Sequence, residues 1–321
     1  MFPHMRTRFL VVLAVLAVVA AACGSSGSTE ASPRGSASRD AVTTDTTVSE
    51  TTATALDTTH LPIGDGKVAT TATKGSIFSC QTTFNGGGAF ATGSWINGDG
   101  TFDVSKKPTV DGDVSWPGTI SITTQGSRRM ITSNGVPGSH TTGEFPVAST
   151  DDAYSYDRNP NRISTQSVQL SLPATPVVGA TPTCLGMGTI GIMTTGVALF
   201  NGLDAAGRDA VAHEIQDHCE GHPQLQGVYH YHSASDCFSD PGTGHSTLLG
   251  YALDGFGIYG TRGEGGVTLS TADLDDCHGH THTIEWDGET VSMYHYHLTA
   301  DFPYTLGCYR GTPVTVTGTF Q

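Results

Sequence analysis

One arrangement of side chains occurs twice in the second half of this chain and constrains its fold more than any other feature. Asp217-His218-Cys219-Glu220-Gly221-His222 leads, after six residues, to Tyr229-His230-Tyr231-His232, and Cys237 closes the segment. Asp275-Asp276-Cys277-His278-Gly279-His280 leads to Tyr294-His295-Tyr296-His297, and Cys308 closes that one. Upstream, Gly196-Val197-Ala198-Leu199 runs to Asn201-Gly202, and Gly250-Tyr251-Ala252-Leu253 runs to Asp254-Gly255. The chain thus predicts an internally duplicated C-terminal half. Each unit consists of an apolar strand, a connection, a Cys/His turn, a strand of alternating Tyr and His, and a closing Cys.

Alternation gives those strands two chemically distinct faces, because successive side chains on a strand point in opposite directions. Tyr229 and Tyr231 share one face and His230 and His232 the other, ~6.6 Å apart along the strand; Tyr294/Tyr296 and His295/His297 repeat the pattern. The tyrosines suit a buried aromatic layer whose hydroxyls find partners. The histidines suit a metal ion, since imidazole ligates zinc, copper, nickel and iron. Eleven of the 14 histidines lie between residues 213 and 297, with only His4, His60 and His140 outside. His222 and His280, each beside a Gly and separated from a Cys by two residues in the turn, complete a predicted ligand set of His222, His230, His232, His280, His295 and His297. Asp217, Asp275, Asp254 and Glu214 are placed to act behind these ligands, for example by holding an imidazole N–H. Two repeats related by a pseudo-twofold predict either two equivalent sites or one composite site between them, and the composite site is the favoured expectation. The competing arrangement is a hydrogen-bonded His/Tyr ladder without metal. His278 and His282 in the HGHTH run read as adventitious surface chelators.

The cysteines and the N-terminus predict a compartment. Residues 1–22 have a basic start (Arg6, Arg8) and an apolar run, Phe9–Ala22, of 14 residues. That run falls short of the ~20 needed to span a bilayer, so it reads as an export signal. Ala20-Ala21-Ala22-Cys23 resembles a bacterial lipoprotein signal, which makes Cys23 the expected lipid anchor and the membrane the expected partner. Residues 23–74, rich in Ser and Thr with few large apolar side chains, read as a disordered tether. Setting Cys23 aside leaves six cysteines, Cys80, Cys184, Cys219, Cys237, Cys277 and Cys308, an even number that predicts three disulfides in an exported chain. The repeat suggests Cys219–Cys237 and Cys277–Cys308, with Cys80–Cys184 remaining. A formal charge of −15 excludes a phosphate-tracking nucleic-acid binder, which needs a basic face.

The paired YHYH tetrapeptides, the stretches GHPQLQGVYHYH and YALDGFGIYG, the ending YHYHLTADFPYTLGC and the upstream ITSNGVPGSHTTGEFP resemble the YHYH domain family of mostly exported bacterial proteins. The resemblance covers about residues 115–310. It implies an exported domain but no particular activity.

The rest of the chain carries weaker signals. Residues 204–217 predict one helix, capped by Asp204 or Asp209. Within it His213-Glu214-Ile215-Gln216-Asp217 is similar to the HExxH of zinc proteases, with Asp in place of the second His, so that His213 and Asp217 would ligate and Glu214 act as base. Asp254 heads a Gly-rich turn, and neither a phosphate loop nor a G-x-S-x-G elbow is present. Strands are expected at 76–83, 118–124, 129–132 and 167–172, with Trp95 and Trp116 in the core. The expected fold is mainly β with one or two short helices (β-rich α+β). One domain spans 75–320, divided into 75–185 and the His-rich 186–320. The expected function is extracytoplasmic binding of copper or zinc for sequestration, delivery or sensing. The alternatives are a hydrolytic or redox metal-dependent enzyme at the cell surface and a structural or adhesive domain without metal.

Overall fold

An eight-stranded sheet organises the molecule. The structure, a computed structural model, describes residues 56–316; the expected signal, Cys23 and the first part of the tether lie outside the described residues. Four short strands come first, β1 (Leu61–Pro62), β2 (Val68–Ala69), β3 (Ile77–Phe78) and β4 (Thr101–Phe102), paired β1 with β4 and β2 with β3. A three-stranded antiparallel sheet follows, β5 (Ile120–Gln125), β6 (Arg128–Ser133) and β7 (Val168–Pro173). The remaining strands are β8 (Thr189–Met193), β9 (Ala198–Phe200), β10 (Gly221–Pro223), β11 (Tyr229–Tyr231), β12 (Leu248–Ala252), β13 (Gly257–Tyr259), β14 (Gly279–Trp286) and β15 (Glu289–His297). The fold is mainly β, as expected. The strands expected near 76–83, 118–124, 129–132 and 167–172 are present as β3, β5, β6 and β7. Trp95 is buried, whereas Trp116 is half-buried.

The strand order in the large sheet is β10-β11-β9-β8-β12-β13-β15-β14. It reads the same from either edge. Strands β8 and β9 form an antiparallel hairpin, β9 lies parallel to β11, and β11 pairs antiparallel with β10; β12, β13, β15 and β14 repeat those three pairings. The quartets join through antiparallel β8 and β12. This pairing places Ala198–Phe200 opposite Gly257–Tyr259 in the scheme, so the sequence match of Gly196–Leu199 with Gly250–Leu253 corresponds to strands of different rank. Local apolar similarity misled there, because both segments are buried inner strands and any such strand reads as a run of small and apolar residues.

Two further expectations change. The packed body begins before residue 75: Leu61 is buried, Gly64 N donates to Asp209 Oδ2 at 2.7 Å, and Asp65 Oδ2 meets His213 Nε2 at 2.9 Å. Residues 56–74 therefore do not continue the tether, because a few apolar anchors and backbone bonds suffice to order a segment whose overall composition is polar. The helix predicted over 204–217 shrinks to α1 (Ala210–His213), capped by Asp209 accepting from Ala212 N. Asp204 instead closes its own turn, accepting from Ala206 N and Arg208 N. Chain direction turns away at Glu214, so His213 and Asp217 never share a helix face and the HExxH-like arrangement does not form.

All three expected disulfides are present: Cys80–Cys184, Cys219–Cys237 and Cys277–Cys308. An Asp287-Gly288 turn, with φ of 52° and 85°, joins β14 to β15; two left-handed residues are what a tight hairpin needs to match strand twist. Arg129, buried between the Tyr251 and Trp286 rings, forks onto Asp287 and ties the small sheet to the large one.

Candidate functional site

Each Cys/His turn is built around its aspartate. Asp217 Oδ1 accepts from Cys219 N (2.9 Å) and Gly221 N (3.1 Å), and Asp275 Oδ1 accepts from Cys277 N (2.9 Å) and Gly279 N (3.1 Å). The intervening residues, Glu220 and His278, take φ of 61° and 71°. Tyr229 OH donates to Asp217 Oδ2 (2.8 Å) and Tyr294 OH to Asp275 Oδ1 (2.9 Å). The glycine of D-x-C-x-G has a steric reason too, since a Cβ on Gly221 would collide with the Tyr229 ring and one on Gly279 with Tyr294.

This geometry corrects the expected roles of three acids. Asp217 and Asp275 serve the tyrosine face and the turn rather than the imidazoles. Asp254 does likewise, accepting from Tyr296 OH (2.6 Å), Gly311 N (2.9 Å) and Phe256 N (3.3 Å). The physical reason is that a buried phenol O–H needs an acceptor, and an acid fixed in the turn is nearest to it. Burial raises the Asp254 pKa, and pushes the Tyr229, Tyr294 and Tyr296 hydroxyls well above their ordinary value.

The histidine face gathers into two centres rather than one. His222, on β10, is in register with His230 on β11; His280, on β14, is in register with His295 on β15. Ligand atoms of His222, His230 and His232 lie within 4.8 Å of one another, as do those of His245, His280, His295 and His297. The composite site expected from the repeat does not form. Strands β11 and β15 are five places apart in the sheet, which at ~4.8 Å per strand separates the centres by about 24 Å. All six predicted ligands enter a centre. His245, from the connection before β12, was not singled out by any motif; only its place within the histidine-dense stretch pointed to it.

Hydrogen bonding fixes the state of these rings. His230 Nδ1 lies 3.0 Å from Val228 O and His232 Nδ1 2.5 Å from Asn201 O. His295 Nδ1 lies 3.0 Å from Met293 O, His297 Nδ1 2.6 Å from Gly260 O, and His245 Nδ1 2.8 Å from Ser246 O. A carbonyl only accepts, so in all five rings Nδ1 carries the proton and the Nε2 of the neutral ring is a bare lone pair. Asn201 and Gly260 follow β9 and β13 directly, so the parallel pairing of those strands with β11 and β15 supplies the two locks.

The lone pairs then face one another. Nε2–Nε2 distances are 3.1 Å for His230–His232, 3.1 Å for His295–His297 and 3.2 Å for His245–His295; His280, whose Nδ1 is not fixed by a carbonyl, places its Nε2 3.1 Å from His295 Nε2 and can donate to it. Burial, followed by neighbouring imidazoles, holds His222 and His230 well below the ordinary histidine pKa. Burial likewise lowers His232 to about 4, His295 to about 3 and His297 to about 2. The rings are therefore neutral near pH 7, and no proton sits between the pairs whose Nδ1 atoms both face carbonyls. Both ring nitrogens of His222 are buried without a partner. Metal ligation requires neutral imidazole. Two nitrogens on one ion at ~2.0–2.1 Å lie about 2.9–3.4 Å apart for angles of about 90–110°, so the pairs at 3.1–3.2 Å have the spacing of co-ligands, and the two groups could hold a metal ion.

The surroundings of the two centres differ. Phe200 stacks on His230 at 3.8 Å, and Glu214 Oε2 lies 3.6 Å from His222 Nε2 and 3.7 Å from His232 Nε2. Burial raises the Glu214 pKa well above the carboxylate range. This centre forms the wall of a cavity of about 540 Å³. At the other centre the Tyr259 ring meets His295 edge-on at 4.9 Å, and His282 stacks beside His245 and meets Glu264. His278 is buried on Thr299, 3.0 Å away, and is no surface chelator. His213 pairs with Asp65 outside both centres. His140 reaches Tyr231 OH at 2.7 Å beside Cys219 and Cys237, whose sulfurs are spent in a disulfide.

A family model described as "YHYH protein" matches residues 169–266, a narrower span than the sequence resemblance. It contains β8 to β13 and all of β7 but its first residue, and with them the whole of the first centre and His245. No curated protein matches the chain, and no solved structure does.

Proposed function

We propose that this chain, whose residues 169–266 match the model of the YHYH family, is an extracytoplasmic protein that binds copper or zinc at two separate histidine centres. His222, His230 and His232 hold one ion; His245, His280, His295 and His297 hold the other. One observation carries the reading: backbone carbonyls consume the Nδ1 protons, leaving buried Nε2 lone pairs 3.1–3.2 Å apart with no hydrogen between them. A ladder of His–His hydrogen bonds requires a proton on one Nε2, which means an imidazolium in a site where burial opposes charge. A cation removes the repulsion. Copper or zinc suits donors that are all imidazole, with no free thiolate among the described cysteines.

The role proposed is metal sequestration, delivery or sensing outside the cytoplasm. The family and the three disulfides fit an exported protein. Lipidation at Cys23, supported by the Ala20-Ala21-Ala22-Cys23 sequence, would hold the domain at the membrane.

Elemental analysis of purified protein tests the reading. Two equivalents of metal are expected, falling to one in His230→Ala and one in His295→Ala, with a lower Tm after chelation. Absence of stoichiometric metal, together with a Tm indifferent to chelator, overturns it.

A further inference from the structure

The two centres offer different numbers of donors. The second closes on four imidazoles; the first supplies three and opens on the cavity. Glu214 stands across from its Nε2 atoms at 3.6–3.7 Å, beyond hydrogen-bond reach. Three protein ligands with space beside them is the pattern of a metal that keeps an exchangeable position, whereas four imidazoles complete a tetrahedral ion.

We infer that the first centre, and not the second, takes an exchangeable ligand from the cavity: a small neutral or cationic molecule that donates a nitrogen or oxygen lone pair to the ion. The inference rests on the metal reading above. A cavity of about 540 Å³ is within the size range that receives whole small molecules. Its wall carries three carboxylates, Asp157, Asp204 and Glu214. Asp157 is held by Asn159 N and Ile215 N, and Asp204 by Arg208, which leaves Glu214 as the acid facing the donors. Asp157, hydrogen-bonded to backbone N–H groups rather than to a basic side chain, disfavours an anionic ligand. Gly88 and Leu225 also line the cavity. A Cβ on Gly88, at φ +76°, would stand 2.8 Å from Glu214 Oε1 and 3.3 Å from Asp204 Oδ2, so side-chain bulk at that position narrows the space before Glu214. Leu225, 82% exposed in the β10–β11 connection, presents an apolar surface.

The test uses the full-length chain loaded with Co(II), titrated with imidazole as the neutral probe and acetate as the anionic one, and read by visible d–d absorption. His295→Ala and His245→Ala disable the second centre; His230→Ala and His222→Ala disable the first. The expected result is a saturable imidazole response in His295→Ala and His245→Ala, with acetate at least tenfold weaker. No response is expected in His230→Ala or His222→Ala up to tenfold higher imidazole. Gly88→Ala should retain cobalt and weaken imidazole at least fivefold. A response that persists without the first centre, or is missing without the second, overturns the inference, and so does acetate binding as tightly as imidazole. Cobalt uptake with no ligand response sinks only this inference, whereas failure of the wild-type chain to take up cobalt sinks the metal reading itself.

Discussion

Replacing His278 by Asn isolates what burying one neutral imidazole does to this fold in acid. His278 occupies the left-handed corner of the second Cys/His turn, at φ 71°, and is 2% exposed. Burial alone lowers its pKa to about 3. Asn tolerates the same backbone region and cannot titrate. The folded pKa lies below the unfolded value of ~6.5. At pH 7.5 neither state is protonated, and the contribution is fully present. As pH falls below ~6.5 the unfolded chain takes up a proton that the folded chain refuses, so stability is lost progressively down to about pH 3. At pH 5.0, 1.5 pH units below the unfolded value, the loss is about 2 kcal/mol at ~1.4 kcal/mol per unit. That figure holds for any folded pKa well under 5. Urea unfolding of the full-length chain in chelator, at pH 7.5 and 5.0, measures it. The wild type should lose about 2 kcal/mol more than His278→Asn between those conditions, since other titrating groups are common to both and cancel. Equal losses, or a larger loss in the variant, would refute the reasoning.

Other perturbations reach different parts of the same construction. Asp217→Ala strands four donors, Cys219 N, Gly221 N, Gly143 N and Tyr229 OH. At ~1–3 kcal/mol for each unsatisfied buried group, urea unfolding should show a loss of at least ~4 kcal/mol, and a loss below 1 kcal/mol on the same scale counts against the turn's role. Phe200→Ala removes the ring stacked on His230; a stability loss of ~3–5 kcal/mol is expected, with metal lost from the first centre and retained at the second. Replacing Cys277 and Cys308 by Ser opens a link across 31 residues, and the loop-entropy model gives a loss of about 4 kcal/mol, to be read as a lower urea midpoint under non-reducing conditions. Tyr296→Phe leaves Asp254 with only its two backbone donors; the cost should be about 1–3 kcal/mol, with metal content unchanged, because the phenol lies on the face opposite the imidazoles.

Much of the site was legible because strand alternation is a local property. The order Y-H-Y-H is enough to send Tyr229 and Tyr231 one way and His230 and His232 the other, whatever the sheet around them. Cysteine parity and spacing gave the disulfide pairs for a similar reason: a repeated unit closes on itself. The helix at 204–217 failed because apolar spacing cannot register that Glu214 leaves the helical path to face His222 and His232. The acids failed for a different reason. Asp217, Asp254 and Asp275 are polar residues near histidines in sequence, but their partners are tyrosine hydroxyls, and which face an aspartate serves depends on the turn that carries it.

The residues alone determined that two sets of imidazoles exist, that each comes from a Cys-pinned turn followed by an alternating strand, and that the fold is mainly β. Tertiary structure decided how many centres those imidazoles make. Strand order places β11 and β15 near opposite edges of one sheet, so the two sets cannot meet, and sequence records no strand order. It also decided each ring's protonation, because Asn201 O and Gly260 O reach His232 and His297 only through parallel neighbours. Finally, it set the difference between the centres. His245 closes one and a cavity opens the other, and both depend on segments distant along the chain that only folding brings alongside.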